Sequence, residues 1–215
     1  MNYKTRIMLA SILILLLSRP ALACEAPRPV DVPILHDGLY PTPDALISLK
    51  FGLKIDAFED VGMHQPAPFP TIAYVGRDAA NFYILVDAVQ PQSMIKSDAA
   101  TSADVQKDDF AGVSFIVGSN SYVLFSNPAG RKLSLSTVAG WTGPWEASVS
   151  TSADGWRGFF TVPISSISSA SKREPVRIAV FRQKQRVGGR YVYWPSTSCD
   201  QLSPDGESLI QGLLI

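Results

Sequence analysis

Residues Asn81–Val89, which read NFYILVDAV, form the most strongly β-like stretch of the sequence. Apolar side chains occupy both sets of alternating positions, with Phe82 and Ile84 on one face and Tyr83 and Leu85 on the other. Because successive side chains of a strand point to opposite faces, this pattern indicates that both faces are buried. The stretch therefore predicts a central strand in a sheet that is covered on both sides.

Further short runs of strand-forming residues follow along the chain and are separated by turn residues. Gly118-Ser119-Asn120 and Asp154-Gly155 are typical of tight turns between neighbouring antiparallel strands. Only residues 163–170 resemble a helix, and the polar stretch 92–107 is predicted to be a mobile loop. The predicted strands occupy residues 47–51, 71–76, 81–89, 110–117, 121–126, 131–138, 145–150, 156–164, 176–182 and 190–194. This spacing predicts an all-β fold, an antiparallel sandwich or barrel.

The first 23 residues have the pattern of a secretory signal peptide. Lys4 and Arg6 form a basic start, an apolar run follows at 7–17, and Ala21 and Ala23 occupy the positions read by a signal peptidase. The apolar run is shorter than the roughly 20 residues that span a bilayer. We therefore expect a periplasmic or extracellular protein, with no transmembrane span in the mature chain.

Two cysteines decide whether the mature chain is cross-linked by a disulfide or anchored by a lipid. Cleavage after Ala23 would make Cys24 the first mature residue, and Cys199 is the only other cysteine. Pairs of cysteines in exported proteins favour a disulfide, which would join Cys24 to Cys199. The alternative is a lipoprotein anchor on Cys24, although Ala21 stands where the usual lipobox has leucine.

Composition limits the class of partner. The whole chain carries 19 basic and 19 acidic residues, and loss of Lys4, Arg6 and Arg19 with the signal peptide leaves 16 against 19, a net charge of −3. Nucleic-acid binding would need clustered positive charge, so we expect no nucleic-acid partner. The predicted segments are a signal peptide at 1–23, a proline-rich extended arm at 24–48, the β-sandwich at 49–199 and a C-terminal tail at 200–215.

Six motifs, in the same order between residues 71 and 195, resemble those of family 9 carbohydrate-binding-module-like domains. They are VGRDAANFYI at 75–84, DDFAGV at 108–113, FSNPAG at 125–130, DGW at 154–156, VPISSI at 162–167, and Arg182 with Tyr193-Trp194. Some bacterial surface proteins carry such a domain before an outer-membrane-type barrel, and this chain would be a free-standing version. The resemblance implies a jelly-roll-like β-sandwich that binds sugar without catalysis. One departure is Phe58, which stands near the place of a tryptophan in that family.

Sugar binding needs aromatic rings for the C–H faces of the sugar and polar groups for its hydroxyls. Trp141 and Trp145 lie in a glycine- and proline-rich segment that predicts an exposed loop, and Tyr191 and Tyr193 share one face of the last strand. Asn127 could bind a hydroxyl, or it could serve the turn in which it lies. We expect these five residues to form the carbohydrate site, with core packing as the alternative for the aromatic ones.

Asp108 and Asp109 have two possible roles. Adjacent carboxylates at the end of a loop can bind a structural Ca²⁺ ion, although Ca²⁺ prefers six or more oxygen ligands. The alternative is structural, because Arg182 is in phase with Val180 and Ile178, and a charge on an apolar face needs a partner. We expect one of the two aspartates to form an ion pair with Arg182.

Catalysis is not expected, since the chain lacks the usual nucleophile and zinc motifs. Two alternatives to a sugar-binding protein remain. The chain could be a structural envelope protein that keeps the fold and binds a protein partner, or a relative that carries haem. Haem would need axial ligands, for which Met63, His64 and Met94 are the candidates.

Overall fold

The computed structural model describes residues 32–35, 41–48, 52–60, 63, 65–167, 176–185, 190–194 and 213–214. The predicted signal peptide, Cys24, Cys199 and most of the predicted C-terminal tail lie outside these residues. Within them, the chain forms thirteen β-strands: β1 (Leu53–Ile55), β2 (Glu59–Asp60), β3 (Gln65–Pro66), β4 (Thr71–Arg77), β5 (Asn81–Val89), β6 (Phe110–Val117), β7 (Asn120–Ser126), β8 (Lys132–Ser136), β9 (Glu146–Ser152), β10 (Gly155–Pro163), β11 (Val176–Lys184), β12 (Arg190–Trp194) and β13 (Leu213–Leu214).

The strands form two antiparallel sheets that pack face to face, which confirms the predicted β-sandwich. The smaller sheet has the order β1-β4-β5-β10-β9. The larger sheet has the order β3-β2-β12-β11-β6-β7-β8, and β13 also pairs with β11. Every pairing between named strands is antiparallel.

Strand β5 lies in the centre of the smaller sheet, between β4 and β10, as its sequence predicts. Phe82 and Ile84 are buried in the main core between the sheets, where they meet residues such as Phe115 and Trp156. Tyr83 and Leu85 belong to a separate apolar cluster. Because this cluster covers the outer face of β5, apolar residues occur at successive positions of the strand.

A short helix explains how that outer face is covered. Helix α1 (Pro43–Ser48) occupies a segment predicted to be the end of an extended arm and the start of a strand at 47–51. Thr42 caps the helix, since its Oγ1 accepts a hydrogen bond of 3.2 Å from the Ala45 N–H. Leu46, which is fully buried, packs with Leu35 against Tyr83. The predicted strand is therefore wrong at Ile47 and Ser48, because Leu46 is buried by a helical turn.

The turn predictions are confirmed. Gly118 joins β6 to β7 with a φ of 59°, and Gly130 closes the Asn127 turn with a φ of 77°. Both values lie in the left-handed region that glycine adopts without strain. The weak helical signal after β10 corresponds to a four-residue helix, α2 (Ile164–Ile167).

Candidate functional site

Trp145 is a core residue and not the exposed loop residue that the sequence suggests. Its side chain is buried, and its ring stacks on Phe160 with a centroid distance of 6.2 Å and an interplanar angle of 17°. The ammonium group of Lys132 lies 4.9 Å from the ring centroid of Trp145. Trp145 is buried because β9 begins at the next residue, so that its side chain already lies inside the sandwich. With Phe160 and Lys132 against it, the ring is a poor platform for a sugar.

Trp141 is only half-buried, but much of its ring is also in contact with protein. Its indole N–H donates a hydrogen bond of 2.8 Å to the Ser166 carbonyl oxygen. The Tyr122 ring lies 5.2 Å away, and a Cβ atom placed on Gly143 would come within 2.6 Å of the indole. Gly143 therefore packs directly against the tryptophan. These contacts anchor the loop between β8 and β9 to the sandwich.

The Asn127 side chain stabilises the turn in which it lies. The side chain is fully buried, its Oδ1 accepts a hydrogen bond of 2.8 Å from the Arg131 N–H, and its Nδ2 donates one of 2.8 Å to Asp108. Because burial removes this side chain from solvent, it is not placed to bind a sugar hydroxyl. The structural alternative for Asn127 is the one that the contacts support.

The two adjacent aspartates act together as an acceptor cluster for the segment before them. Asp108 accepts hydrogen bonds from the Asp98 and Ala99 amides and from Asn127 Nδ2, all at 2.8–2.9 Å. Asp109 accepts them from the Lys96 and Gln185 amides and from Gln90 Nε2, at 2.7–3.2 Å. We call Asp108 and Asp109 the acidic clasp, because they tie the segment 90–99 to Asn127 and Gln185, the residues that directly follow β7 and β11.

The acidic clasp does not fit a Ca²⁺ site. Each of its two carboxylates already accepts three N–H groups, and Ca²⁺ would need those oxygens together with several more. Among the described residues, no group of three or more His, Cys, Asp or Glu side chains could hold a metal ion. The predicted role of Asp108 and Asp109 as metal ligands is therefore replaced by a structural one.

Arg182 points into the sandwich, as its phase with Val180 predicts, but its partners are neutral. The guanidinium donates hydrogen bonds to the Pro70 carbonyl oxygen at 2.9 Å, to Thr71 Oγ1 at 3.1 Å and to Gln90 Oε1. Gln90 in turn donates to Asp109. The predicted direct ion pair is corrected to a relay, in which Gln90 separates the two charges.

Burial changes the electrostatics of Arg182. Loss of solvent lowers the pKa of Arg182 to about 10, while the negative charges of Asp109 and Asp87 oppose this shift. The group remains cationic at neutral pH. It also lies over the Phe69 ring, with 4.6 Å between the guanidinium carbon and the ring centroid.

The predicted mobile loop 92–107 contains two 3₁₀ helices, Gln92–Met94 and Ser102–Lys107. Val105 in the second helix is fully buried against the outer face of the larger sheet. There it packs with Phe110, Phe125 and Phe181, whose ring centroids are 5.1–6.4 Å apart. The segment therefore covers part of this face, and the acidic clasp holds it in place.

Gly112 allows these rings to meet. In the strand register, Gly112 lies between Phe181 of β11 and Phe125 of β7. A Cβ atom at this position would lie 2.6 Å from the Phe181 ring and 2.4 Å from the Leu124 carbonyl oxygen. Because glycine has no side chain, the two phenylalanine rings approach each other directly across β6.

Beside these rings lies a cavity of about 370 Å³ on the outer face of the larger sheet. We call it the outer-face cavity. Its lining is apolar except for two glutamines, and it consists of Gln106, Phe110, Val123, Phe125, Leu135, Phe181 and Gln183. Leu135 is 48 % exposed and forms an accessible part of the rim. No sequence motif marks this site, because its residues are spread over β6, β7, β8, β11 and a 3₁₀ helix.

Two predicted site residues lie beside the outer-face cavity in the strand register. Tyr193 of β12 pairs with Phe181 of β11, and Tyr191 pairs with Gln183. The side chains of both tyrosines lie outside the described part of the structure. Of the remaining candidates, Met63 is 52 % exposed, Met94 lies in the first 3₁₀ helix, and His64 is outside the described residues.

Comparison with solved structures identifies proteins of similar fold. A protein from Bacteroides uniformis, to which carbohydrate binding has been attributed, superposes with a TM-score of 0.60 at 11% identity, over 78% of this chain and 89% of its own. A family 9 carbohydrate-binding module from Caldicellulosiruptor kristjanssonii, solved with glucose, gives 0.54 at 9% identity, over 77% and 85%. This chain therefore has the fold of family 9 carbohydrate-binding modules, as its motifs indicate.

The sequence itself matches no protein-family model, and it matches no curated protein. The likeness thus rests on the arrangement of the strands. In the described residues, the helices are too short or too polar to cross a membrane.

Proposed function

We propose that this protein is an exported, non-catalytic carbohydrate-binding domain that binds sugar in the outer-face cavity. The observation that carries the proposal is an open cavity whose floor consists of three buried phenylalanine rings and whose accessible rim carries the apolar Leu135 beside Gln106. Apolar walls with a few well-placed polar groups are typical of sites for small ligands. The volume of about 370 Å³ is sufficient for one or two sugar rings.

The chemistry of the lining suits a sugar. The C–H groups of a pyranose ring are apolar and can pack against aliphatic side chains such as Val123 and Leu135. The amide of Gln106 offers a donor and an acceptor, which is what a hydroxyl group needs. We further propose that Tyr191 and Tyr193 contribute to sugar binding, because the strand register pairs them with Gln183 and Phe181.

The acidic clasp is not part of a catalytic pair. Asp108 and Asp109 are buried and accept hydrogen bonds from backbone amides and from Asn127 and Gln90. A glycosidase would need two carboxyl groups facing a substrate, and these two aspartates do not meet that need. Export rests on the signal-peptide pattern of residues 1–23.

The test is a glycan array followed by titration with glucose and cellotriose, using the mature chain. Leu135→Lys places a charged side chain at the rim of the outer-face cavity and should weaken binding by about tenfold or more. Ile34→Lys is the control, because Ile34 is also exposed (58 %) but lies against β4 of the smaller sheet. It should bind like wild type.

Trp141→Ala separates this site from the one that the sequence predicts. If Trp141→Ala abolishes binding while Leu135→Lys does not, sugar is bound at the loop between β8 and β9. If the wild-type chain binds no sugar on the array, the proposed function is wrong.

A further inference from the structure

The outer face of the smaller sheet is divided into two halves of different character. Leu35 and Leu46 cover the half that contains Tyr83 and Leu85. The other half has no such cover in the described part of the chain, and it forms a cavity of about 300 Å³. We call this cavity the polar cleft, and it is lined by Asp87, Val89, Arg157 and Asp154 together with the 150–152 stretch of β9 and the start of β10.

An ion pair forms the floor of the polar cleft. Asp87 of β5 and Arg157 of β10 are direct cross-strand partners. Arg157 donates from Nε and from Nη2 to the same oxygen, Asp87 Oδ2, at 3.2 and 3.1 Å. This side-on contact uses neither Asp87 Oδ1 nor Arg157 Nη1. The side chains are 22% and 42% exposed, so solvent reaches both groups.

A fixed acceptor next to a fixed donor is complementary to two neighbouring hydroxyl groups of a ligand. Each hydroxyl both donates and accepts a hydrogen bond, so one can donate to Asp87 Oδ1 while the next accepts from Arg157 Nη1. Ser150 and Ser152 add hydroxyl groups to the wall. Val89, which is 37 % exposed, provides an apolar surface for the C–H groups between the hydroxyls.

The charges in the polar cleft disfavour an anionic ligand. Asp87 and Asp154 outnumber Arg157, so the lining carries a net negative charge that repels an anion such as phosphate. A polyhydroxylated molecule without charge does not meet this repulsion. The lining thus favours a neutral polyol over an anionic metabolite.

We propose that the polar cleft is a second ligand site, which binds a neutral polyhydroxylated molecule such as a hexose through two adjacent hydroxyl groups. It lies on the smaller sheet, whereas the outer-face cavity lies on the larger one. The protein therefore presents one sugar-binding face on each sheet. The outer-face cavity contacts the C–H faces of a sugar ring, whereas the polar cleft binds its hydroxyl groups.

The experiment is a titration of ¹⁵N-labelled mature protein with glucose, followed by NMR. The backbone amides of Ser150, Arg157 and Asp87 should shift. The Asp87→Ala/Arg157→Ala double variant, in which no charge is left unpaired, should weaken the response at Ser150 about tenfold, as expected for the loss of hydrogen bonds to a neutral ligand.

A matched control comes from another exposed ion pair on the same sheet, Lys54–Asp56, whose charged atoms are 2.9 Å apart. Lys54→Ala/Asp56→Ala should respond to glucose like wild type. Leu135→Lys should keep the shifts at Ser150 while losing those around the outer-face cavity, so each site can fail by itself. The proposal is overturned if glucose leaves the cleft amides unshifted, if the Asp87/Arg157 variant responds like wild type, or if inorganic phosphate binds there instead.

Discussion

Arg182 and Arg157 show how the surroundings of a residue decide its role. Arg182 is fully buried and holds Pro70, Thr71 and Gln90 through hydrogen bonds. Arg157 is 42% exposed and pairs with Asp87 at the surface. Exposed ion pairs are screened by water and contribute little, whereas truncation of a buried, hydrogen-bonded charge leaves its partners unsatisfied.

Arg182→Ala should therefore lower the free energy of unfolding by about 3–5 kcal/mol. Arg157→Ala removes the same side chain from the surface and should cost about 1 kcal/mol or less. Urea unfolding of both variants at pH 7 measures the difference. Equal losses would show that the relay through Gln90 does not support the fold.

Asp78 and Tyr83 form a pair at the β4–β5 turn that makes stability depend on pH. The Tyr83 hydroxyl donates a hydrogen bond of 2.6 Å to Asp78 Oδ2. Burial, followed by this hydrogen bond, raises the pKa of Tyr83 to about 12. Burial alone would raise the pKa of Asp78, but hydrogen bonds from Tyr83, Ala80 and Asn81 outweigh it and hold that pKa below its usual value.

The two shifts act in opposite pH ranges. Because the pKa of Asp78 is lowered by folding, its contribution to stability is present above about pH 4 and is lost as the pH falls through the folded-state value. Asp78→Asn should thus be less stable than wild type at pH 7, and the gap should narrow in acid. Urea unfolding between pH 2 and pH 7, in ~1 unit steps, measures this gap, and a gap that stays constant would contradict the assignment.

The raised pKa of Tyr83 affects the alkaline range. Its contribution is complete below about pH 10 and is lost as the pH rises towards 12, since the unfolded chain ionises first. In wild type, one tyrosine should titrate near pH 12 by absorbance. This late step should be missing in Tyr83→Phe, and a wild-type chain without it would contradict the pairing.

At the level of elements, the sequence predicts strands well and their surroundings poorly. Alternation of side chains is a local property, so β5, β6 and the turn at Gly130 could be predicted. The burial of Trp145 could not, because it depends on Phe160 and Lys132, which are distant in sequence. Helix α1 was missed for a similar reason, since six residues carry too weak a helical pattern and Leu46 is fixed by a contact with β5.

The segment 90–109 is the element that most directly connects stability with the candidate site. The acidic clasp holds its backbone, and its second 3₁₀ helix supplies Val105 and Gln106 to the region of the outer-face cavity. Asp108 accepts only N–H donors, so an asparagine there would bring an N–H group against other N–H groups. The clasp should therefore depend on the charge and not only on the shape of residue 108.

Asp108→Asn should lower the free energy of unfolding by about 2 kcal/mol and speed hydrogen exchange at the Asp98 and Ala99 amides. Asp104→Asn is the control, because Asp104 bonds only Thr101 and the exposed Lys107 in the described structure. It should leave stability and exchange at residues 98 and 99 nearly unchanged. Faster exchange throughout the chain, without a local change, would argue against a clasp.

At the scale of the whole molecule, the sandwich brings together residues that no sequence motif connects. The outer-face cavity combines Gln106 with Leu135 and Gln183, and the polar cleft combines Asp87 with Arg157 and Ser150. The fold could be predicted from ordered motifs because each strand carries its own pattern. The sites could not, because they depend on which strands become neighbours and which faces remain uncovered.

A covalent link between the two ends of the mature chain is the last expectation at this scale. Cys24 and Cys199 would close nearly the whole mature chain into one loop, which limits the freedom of the unfolded state. Cys24→Ser/Cys199→Ser should therefore lower the free energy of unfolding by about 2–4 kcal/mol. The protein should be produced with its leader in a bacterium and purified from the periplasm without reductant, and its intact mass should correspond to a chain that starts at Cys24 with no free thiol. A mass increased by a lipid, together with partition into detergent, would show instead that Cys24 is an anchor and that Cys199 is unpaired.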